Sequence, residues 1–265
     1  MRKFLKIPSN ILLFVFLTLL TQIGGIVYLV SMQINKRWKW NNKFKPTITF
    51  FTLYLGTTLL IIPLLAPIFG REKVKHTSKI SPANYMTVLL NRNYIRPELN
   101  ALLNQAEQEL KGTDIEIHYL DANFPFINSC PLLPHLSHND GEKIDLSLIY
   151  ETENGEISNM QKSISGYGIC EDPSPNEYNQ ITACLKKGYF QYNYSQYLTF
   201  GSINDDLIFS SKGNKKLIES LLMSPKLGKL FIEPHLKTRL NLTNDRIRFH
   251  GCQAVRHDDH IHVQL

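Results

Sequence analysis

Two stretches hold residues whose types and spacing suit metal chemistry. One is His135-Leu136-Ser137-His138-Asn139-Asp140-Gly141-Glu142-Lys143-Ile144-Asp145, and the other is His257-Asp258-Asp259-His260-Ile261-His262. His138 and Asp145 are too far apart to share one face of a rigid element, but a loop turning at Gly141 brings both to one point. His260 and His262 are two residues apart, so on a strand they face the same side. Read together, the stretches offer His138, Asp145 and His262 as three ligands. That leaves the fourth tetrahedral position of Zn²⁺ open, as in catalytic rather than structural sites. Water on such a zinc titrates near ~7, which points to hydrolysis at neutral pH.

The pattern resembles the zinc peptidases that include the penicillin-insensitive murein endopeptidases and the D-alanyl-D-alanine metallopeptidases. Their Ser-x-His-x-x-Gly-x-x-x-Asp is met by His138, Gly141 and Asp145, with Ser137 one place nearer than usual. The terminal His-x-x-His-x-His is met by His257, His260 and His262, and the upstream His-x-x-His of the endopeptidase branch by His135 and His138. Lys143 stands where the group carries a small or apolar residue. The resemblance covers roughly residues 115 to 265. It implies hydrolysis of peptide bonds in bacterial cell-wall peptidoglycan, with D-alanyl-D-alanine carboxypeptidase or dipeptidase activity, or zinc-dependent wall binding without turnover, as alternatives. His260 is the expected proton carrier, because it shares a strand face with His262. Asp259 is its rival, since the D-alanyl-D-alanine peptidases carry an acidic base there. His135 and His257 are expected to orient ligands or substrate, and Arg248 and Arg256 to offer themselves to a substrate carboxylate.

The elements that must position these residues follow from patterning. The chain has 265 residues and a formal charge of +6, room for one ordinary domain plus membrane segments. Apolar runs at about 11–32 and 47–69 are each long enough to cross a ~30 Å hydrocarbon core, so residues 1–70 read as an anchor of two transmembrane helices. The first run is too long for a usual signal peptide, and no Ala-x-Ala site follows it. Lys36, Arg37, Lys39, Lys43 and Lys45 in the intervening loop place that loop on the inner side and both termini outside. Trp38 and Trp40 suit the interface. Nucleic acid is not expected as a partner, because anionic lipid already serves this loop. The localisation that follows is a bacterial inner membrane, with the catalytic domain on the periplasmic side.

Residues 71–81 read as a polar tether and 82–265 as the zinc peptidase domain. The fold class is α+β: a small antiparallel sheet with flanking helices, carrying the zinc site and preceded by the two spans. Leu99, Leu102, Leu103, Ala106 and Leu110 fall at helical spacing, with Gly112 placed to end that helix. Ile115, Ile117 and Tyr119 alternate as a strand, and a second strand, 144–151, turns at Glu153-Asn154-Gly155. A polar insertion at 166–175 leads to a helix at 177–187. The aromatic run 189–200 is expected as half-buried sheet. A helix at 215–223 and strands at 229–233 and 260–263 complete the domain. Cysteines 130, 170, 184 and 252 all follow the second span and form no Cys-x-x-Cys pair. Outside the membrane that implies two disulfides; of three pairings, Cys170 with Cys184 and Cys130 with Cys252 is the one expected.

Overall fold

The first apolar run does not form one helix. In the computed structural model, which describes residues 2–38 and 42–265 with side chains from residue 8 onward, helix α1 (Arg2–Thr21) stops at Gln22 and α2 (Gly24–Arg37) begins two residues later. Trp40, Lys39 and the side chains of Arg2, Lys3 and Lys6 lie outside the described residues. Gln22 has φ 67°, a left-handed conformation that no helix continues through. Its neighbours stabilise the break. Thr21 Oγ1 donates to the Leu17 carbonyl at 3.0 Å and accepts the Gly24 N–H at 2.8 Å, and Gln22 Oε1 accepts the Phe126 N–H at 2.9 Å. Glycine is required where α2 turns back along α1: a Cβ at Gly25 would lie 2.7 Å from the Phe14 carbonyl oxygen. Tyr28 closes the hairpin by donating to Asn10 Oδ1 at 2.9 Å.

The second run is helical from Lys45 to Phe69 (α3). At 25 residues it is, among the described residues, the one helix long and apolar enough to cross a membrane. The two transmembrane helices expected from hydropathy are therefore corrected to one such helix and a broken run. Pro63 has no N–H for the Leu59 carbonyl, and a π-helical turn, Thr57–Ile61, precedes it. Tyr54, Thr58, Ile62 and Ala66 form the buried stripe of α3. Steps of four residues drift around a 3.6-residue helix, and the wider turn keeps the stripe on one side.

The chain divides into two compact units that do not follow the expected boundary at 70–82. The first runs to Val74 and includes Met86–Arg96 and Ala122–Gly141; the second comprises Lys75–Tyr85, Pro97–Asp121 and Glu142–Leu265. The stretch read as a tether carries strand structure. Glu72–Lys73 pairs antiparallel with Tyr94–Ile95 in the first unit, where buried Arg71 donates to the carbonyls of Phe124 and Asn139 and to Asn128 Oδ1.

The second unit is built on a six-stranded sheet. Its strands are β1 (Ile80–Pro82), β2 (Ile117–Tyr119), β3 (Lys143–Ser147), β4 (Lys229–Phe231), β5 (Ile247–Arg248) and β6 (His260–Gln264), in spatial order β5-β4-β6-β3-β2-β1. The sheet is mixed, not antiparallel as expected: the central pairs are antiparallel, but β1 pairs parallel with β2 and β5 with β4. Each parallel pair needs a crossover, supplied by helices α4 (Pro97–Glu109) and Pro234–Arg239. Helix α4 buries Leu99, Leu102, Leu103 and Ala106 as their spacing predicts, and Gly112 at φ 78° follows its end.

The strand expected over 144–151 breaks after Ser147, and Tyr150–Glu151 joins a separate three-stranded sheet with Ile157–Ser158 and Ile208–Phe209. Helix α5 (Ser211–Leu222) is capped by Ser210, whose Oγ accepts the Gly213 N–H at 3.1 Å. The aromatic run is not sheet: Phe190–Tyr197 is 3₁₀-helical, with Tyr192 buried and Phe190, Tyr194 and Tyr197 exposed. The disulfide pairing also differs. Cys184 bonds Cys252, joining the helix Gln180–Lys186 to the segment before β6, while Cys130 and Cys170 are free thiols. Proximity in sequence was a poor guide because Cys184 sits on a helix whose buried face selects its partner.

Candidate metal centre

Strand β6 is the centre of the sheet and is buried on both faces. Alternation sends Ile261 and Val263 to one side and His260 and His262 to the other. Burying the two aliphatic side chains contributes roughly 1.5–3 kcal/mol each; burying two imidazoles and a carboxylate beside them costs stability unless each is satisfied. Here they satisfy one another. In the antiparallel register His262 stands opposite Asp145 on β3 and His260 opposite Ser147. Directly opposed residues share a face, so His262 and Asp145 meet, with Nδ1–H donating to Oδ1 at 2.8 Å. Lys143 starts β3 half-buried opposite Gln264, two residues from this pair.

Around this pair lies a ring of partners. His260 Nδ1–H donates to Asp259 Oδ1 at 2.5 Å, and its other nitrogen, Nε2, faces Asp145 Oδ1 at 3.7 Å. Asp259 Oδ2 accepts the Gly168 backbone N–H at 2.7 Å, and Asp145 Oδ2 accepts the Tyr167 hydroxyl at 2.9 Å. Tyr167 also sets its ring edge-on to His260, with centroids 5.1 Å apart. Burial alone would lower the His260 pKa, but the carboxylates of Asp145 and Asp259 outweigh it and raise it to about 9. His257 goes the other way. Burial, then the neighbouring histidines, push it well below its ordinary value. One buried imidazole therefore carries charge while its neighbour, 4.9 Å away by ring centroid, stays neutral.

The residues fit a metal. His257, His260 and His262 are all buried and each presents a ligand atom within 4.8 Å of the others, and Asp145 adds a carboxylate against His262. Nitrogen and oxygen donors of this kind suit zinc and other divalent transition metals alike. The upstream histidines belong to the first unit. There His135 and His138 hold their rings 5.5 Å apart, and His138 Nδ1–H donates to the Ala122 carbonyl at 2.8 Å. A backbone bond on one ring nitrogen fixes which nitrogen is left to ligate.

The two arginines have different fates. Arg248 is exposed at the edge strand β5. Arg256 is buried and its guanidinium is spent inside the protein: it pairs with both oxygens of Asp258, with Asp172 Oδ1 at 2.5 Å and with Asn193 Oδ1 at 2.9 Å. It locks the turn entering β6 to the segments at 172 and 193 and has no donor fork to spare for a substrate. Asp258, raised by burial to about 7 even with Arg256 opposing, belongs to the same lock. Sequence reading passed over three residues at the site. Tyr167 and Gly168 lie in a loop with neither periodicity nor motif. His250 stands alone in sequence, yet its ring stacks on His257 at 5.3 Å.

Neither the family models nor the curated proteins compared with this chain give a match.

Proposed function

We propose that the chain is a zinc-dependent peptidase acting on peptidoglycan peptides, with His138, Asp145 and His262 as the metal ligands. The observation that carries this reading is the Asp145–His262 pair at 2.8 Å with His260 beside it on the same strand face. Zinc, when held there, supplies Lewis acidity and a nucleophile at neutral pH. The chain's own residues do the rest. His260 is the proton carrier: its Nδ1 is held by Asp259, so its Nε2 is the nitrogen turned toward the ligand carboxylate, and the charged imidazole is placed to donate its Nε2 proton to the leaving amine. Asp259 has both oxygens engaged, one by His260 and one by Gly168. That suits orienting the imidazole better than serving as the base, and favours the endopeptidase branch over the D-alanyl-D-alanine peptidases. Tyr167 and the neutral His257 hold the donors in place. The buried polar cluster also argues against a wall-binding role alone, since binding does not need a second imidazole oriented by a carboxylate.

Metal analysis of the purified full-length chain tests this. About one zinc per chain is expected, lost in His262→Ala; full retention of metal by that variant would defeat the assignment.

A further inference from the structure

The break at Gln22 changes the path of the chain through a lipid bilayer. α1 and α2 run antiparallel, tied by Tyr28 to Asn10 and by the glycine contacts on Phe14 and Leu17. α2 and α3 are antiparallel too. Thr49 Oγ1 donates to Asn35 Oδ1 at 3.1 Å near one end, while Ile23 and Val27 pack with Tyr54 farther along. The hairpin tip therefore lies toward the Phe69 end of α3. There, Gln22 bonds Phe126, whose ring also contacts Phe69 at 4.9 Å. The opposite end gathers the start of α1, the end of α2 and the start of α3.

We propose that all three helices are embedded in a bilayer, so that the chain crosses three times, with its first residues on the same side as the basic turn between α2 and α3 and the chain leaving α3 on the other side, from where the segment 89–94 packs back along α3 against Tyr54 and Thr58. Three observations support lipid as the occupant of this surface. Outward-facing Leu12, Phe16, Leu29, Leu60 and Leu64 are exposed on all three helices. Polar side chains within the helices bond other protein groups: Thr18 donates to the Phe14 carbonyl, Thr21 to that of Leu17, Ser31 to that of Tyr28 and Thr49 to Asn35, while Tyr54 donates to the Leu89 carbonyl and Thr58 accepts from Asn91. Internal satisfaction is the condition hydrocarbon imposes, because no water is there to bond. Length agrees for α3. α3 has 25 residues, about 37 Å of helix, and the apolar part of α1, Pro8–Thr21, extends about 21 Å from the hairpin tip, with Arg2, Lys3 and Lys6 beyond it.

Charge then assigns the sides. Arg2, Lys3 and Lys6 lie in the first turns of α1, five basic residues lie from Lys36 to Lys45, and the first acidic residue of the chain is Glu72. With two crossings these basic groups fall on opposite faces. Three crossings collect them on one, the cytoplasmic face by the positive-inside rule, where anionic lipid complements them. α2 alone is too short and polar to register as a span. Its glycines, packed on α1, let the pair go in as a hairpin.

The test is independent of the peptidase reading. The full-length chain carries one epitope before Met1 and a different one after Leu265, and is expressed in bacteria converted to spheroplasts. Expected are retention in membranes through an alkaline carbonate wash, removal of the C-terminal epitope by external protease, and protection of the N-terminal epitope until detergent opens the membrane. Loss of the N-terminal epitope from intact spheroplasts, protection of both, or release by carbonate would each overturn the proposal.

Discussion

The apolar helices of the first unit and the strand face carrying His260 and His262 deal with buried polar groups in opposite ways. In α1 to α3 the polar side chains bond within or between the helices, or, for Tyr54 and Thr58, to Leu89 and Asn91, and no ionisable cluster forms among the described residues. On β6 and β3 imidazoles and carboxylates are concentrated, buried and made to share protons. The first arrangement minimises the cost of burying polarity. The second accepts that cost, which a fold does not need for its own sake, and it is on this face that the proposed chemistry rests.

That contrast is broken most sharply by removing His260, the proposed proton carrier. His260→Ala should lower turnover on cell-wall peptides by roughly 10²–10⁴-fold, the usual worth of general acid–base catalysis, with metal content unchanged; Asp259→Asn should cost less. If the histidine variant cleaves normally while the asparagine variant is dead, the base is Asp259 and the cluster has been read the wrong way round.

A smaller effect is expected at Tyr167. Tyr167→Phe removes only the hydroxyl that Asp145 Oδ2 accepts, and losing such a support typically weakens metal binding 10–100-fold. Competition with a graded chelator measures it. Unchanged affinity would make Tyr167 a packing residue.

The smallest effect belongs to a pair away from both regions. Arg239 holds the Glu177 carboxylate through two hydrogen bonds, at 3.0 and 2.6 Å, and lowers its pKa to about 2. A depressed carboxylate stabilises above its unfolded value near ~4.3, and that contribution is lost as pH falls from there through about 2. Melting of Glu177→Gln at pH 7 should show a loss of about 1 kcal/mol, shrinking toward zero as pH is lowered through that window. A loss that stays constant down to pH 2 would mean that the ion pair is not its source.

Much of the strand face was legible in sequence, because two-residue periodicity and ligand spacing are local properties. His260 and His262 needed only the assumption of a strand, and α4 only its leucine spacing. What could not be read was set by partners far along the chain. The α1–α2 break depends on Thr21, Gln22 and two glycines inside a run that hydropathy averages as continuous. The Cys184–Cys252 bond spans 68 residues. Arg256 looked available until Asp172 and Asn193, from distant segments, were placed against it. Tyr167 reaches Asp145 across 22 residues of loop and hairpin. The aromatic run 189–200 failed for a different reason: β-propensity favours a half-buried surface, and a short 3₁₀ segment tied down by Tyr192 meets the same need with one ring.

Analysis of muropeptides tests the central claim most directly. The full-length protein in detergent is incubated with isolated bacterial cell wall, first as purified, then with a metal chelator, then with zinc restored. The account predicts new peptide ends in the first and third incubations and none in the second. Cleavage that persists undiminished in chelator, or no cleavage by protein carrying a full equivalent of zinc, would contradict it.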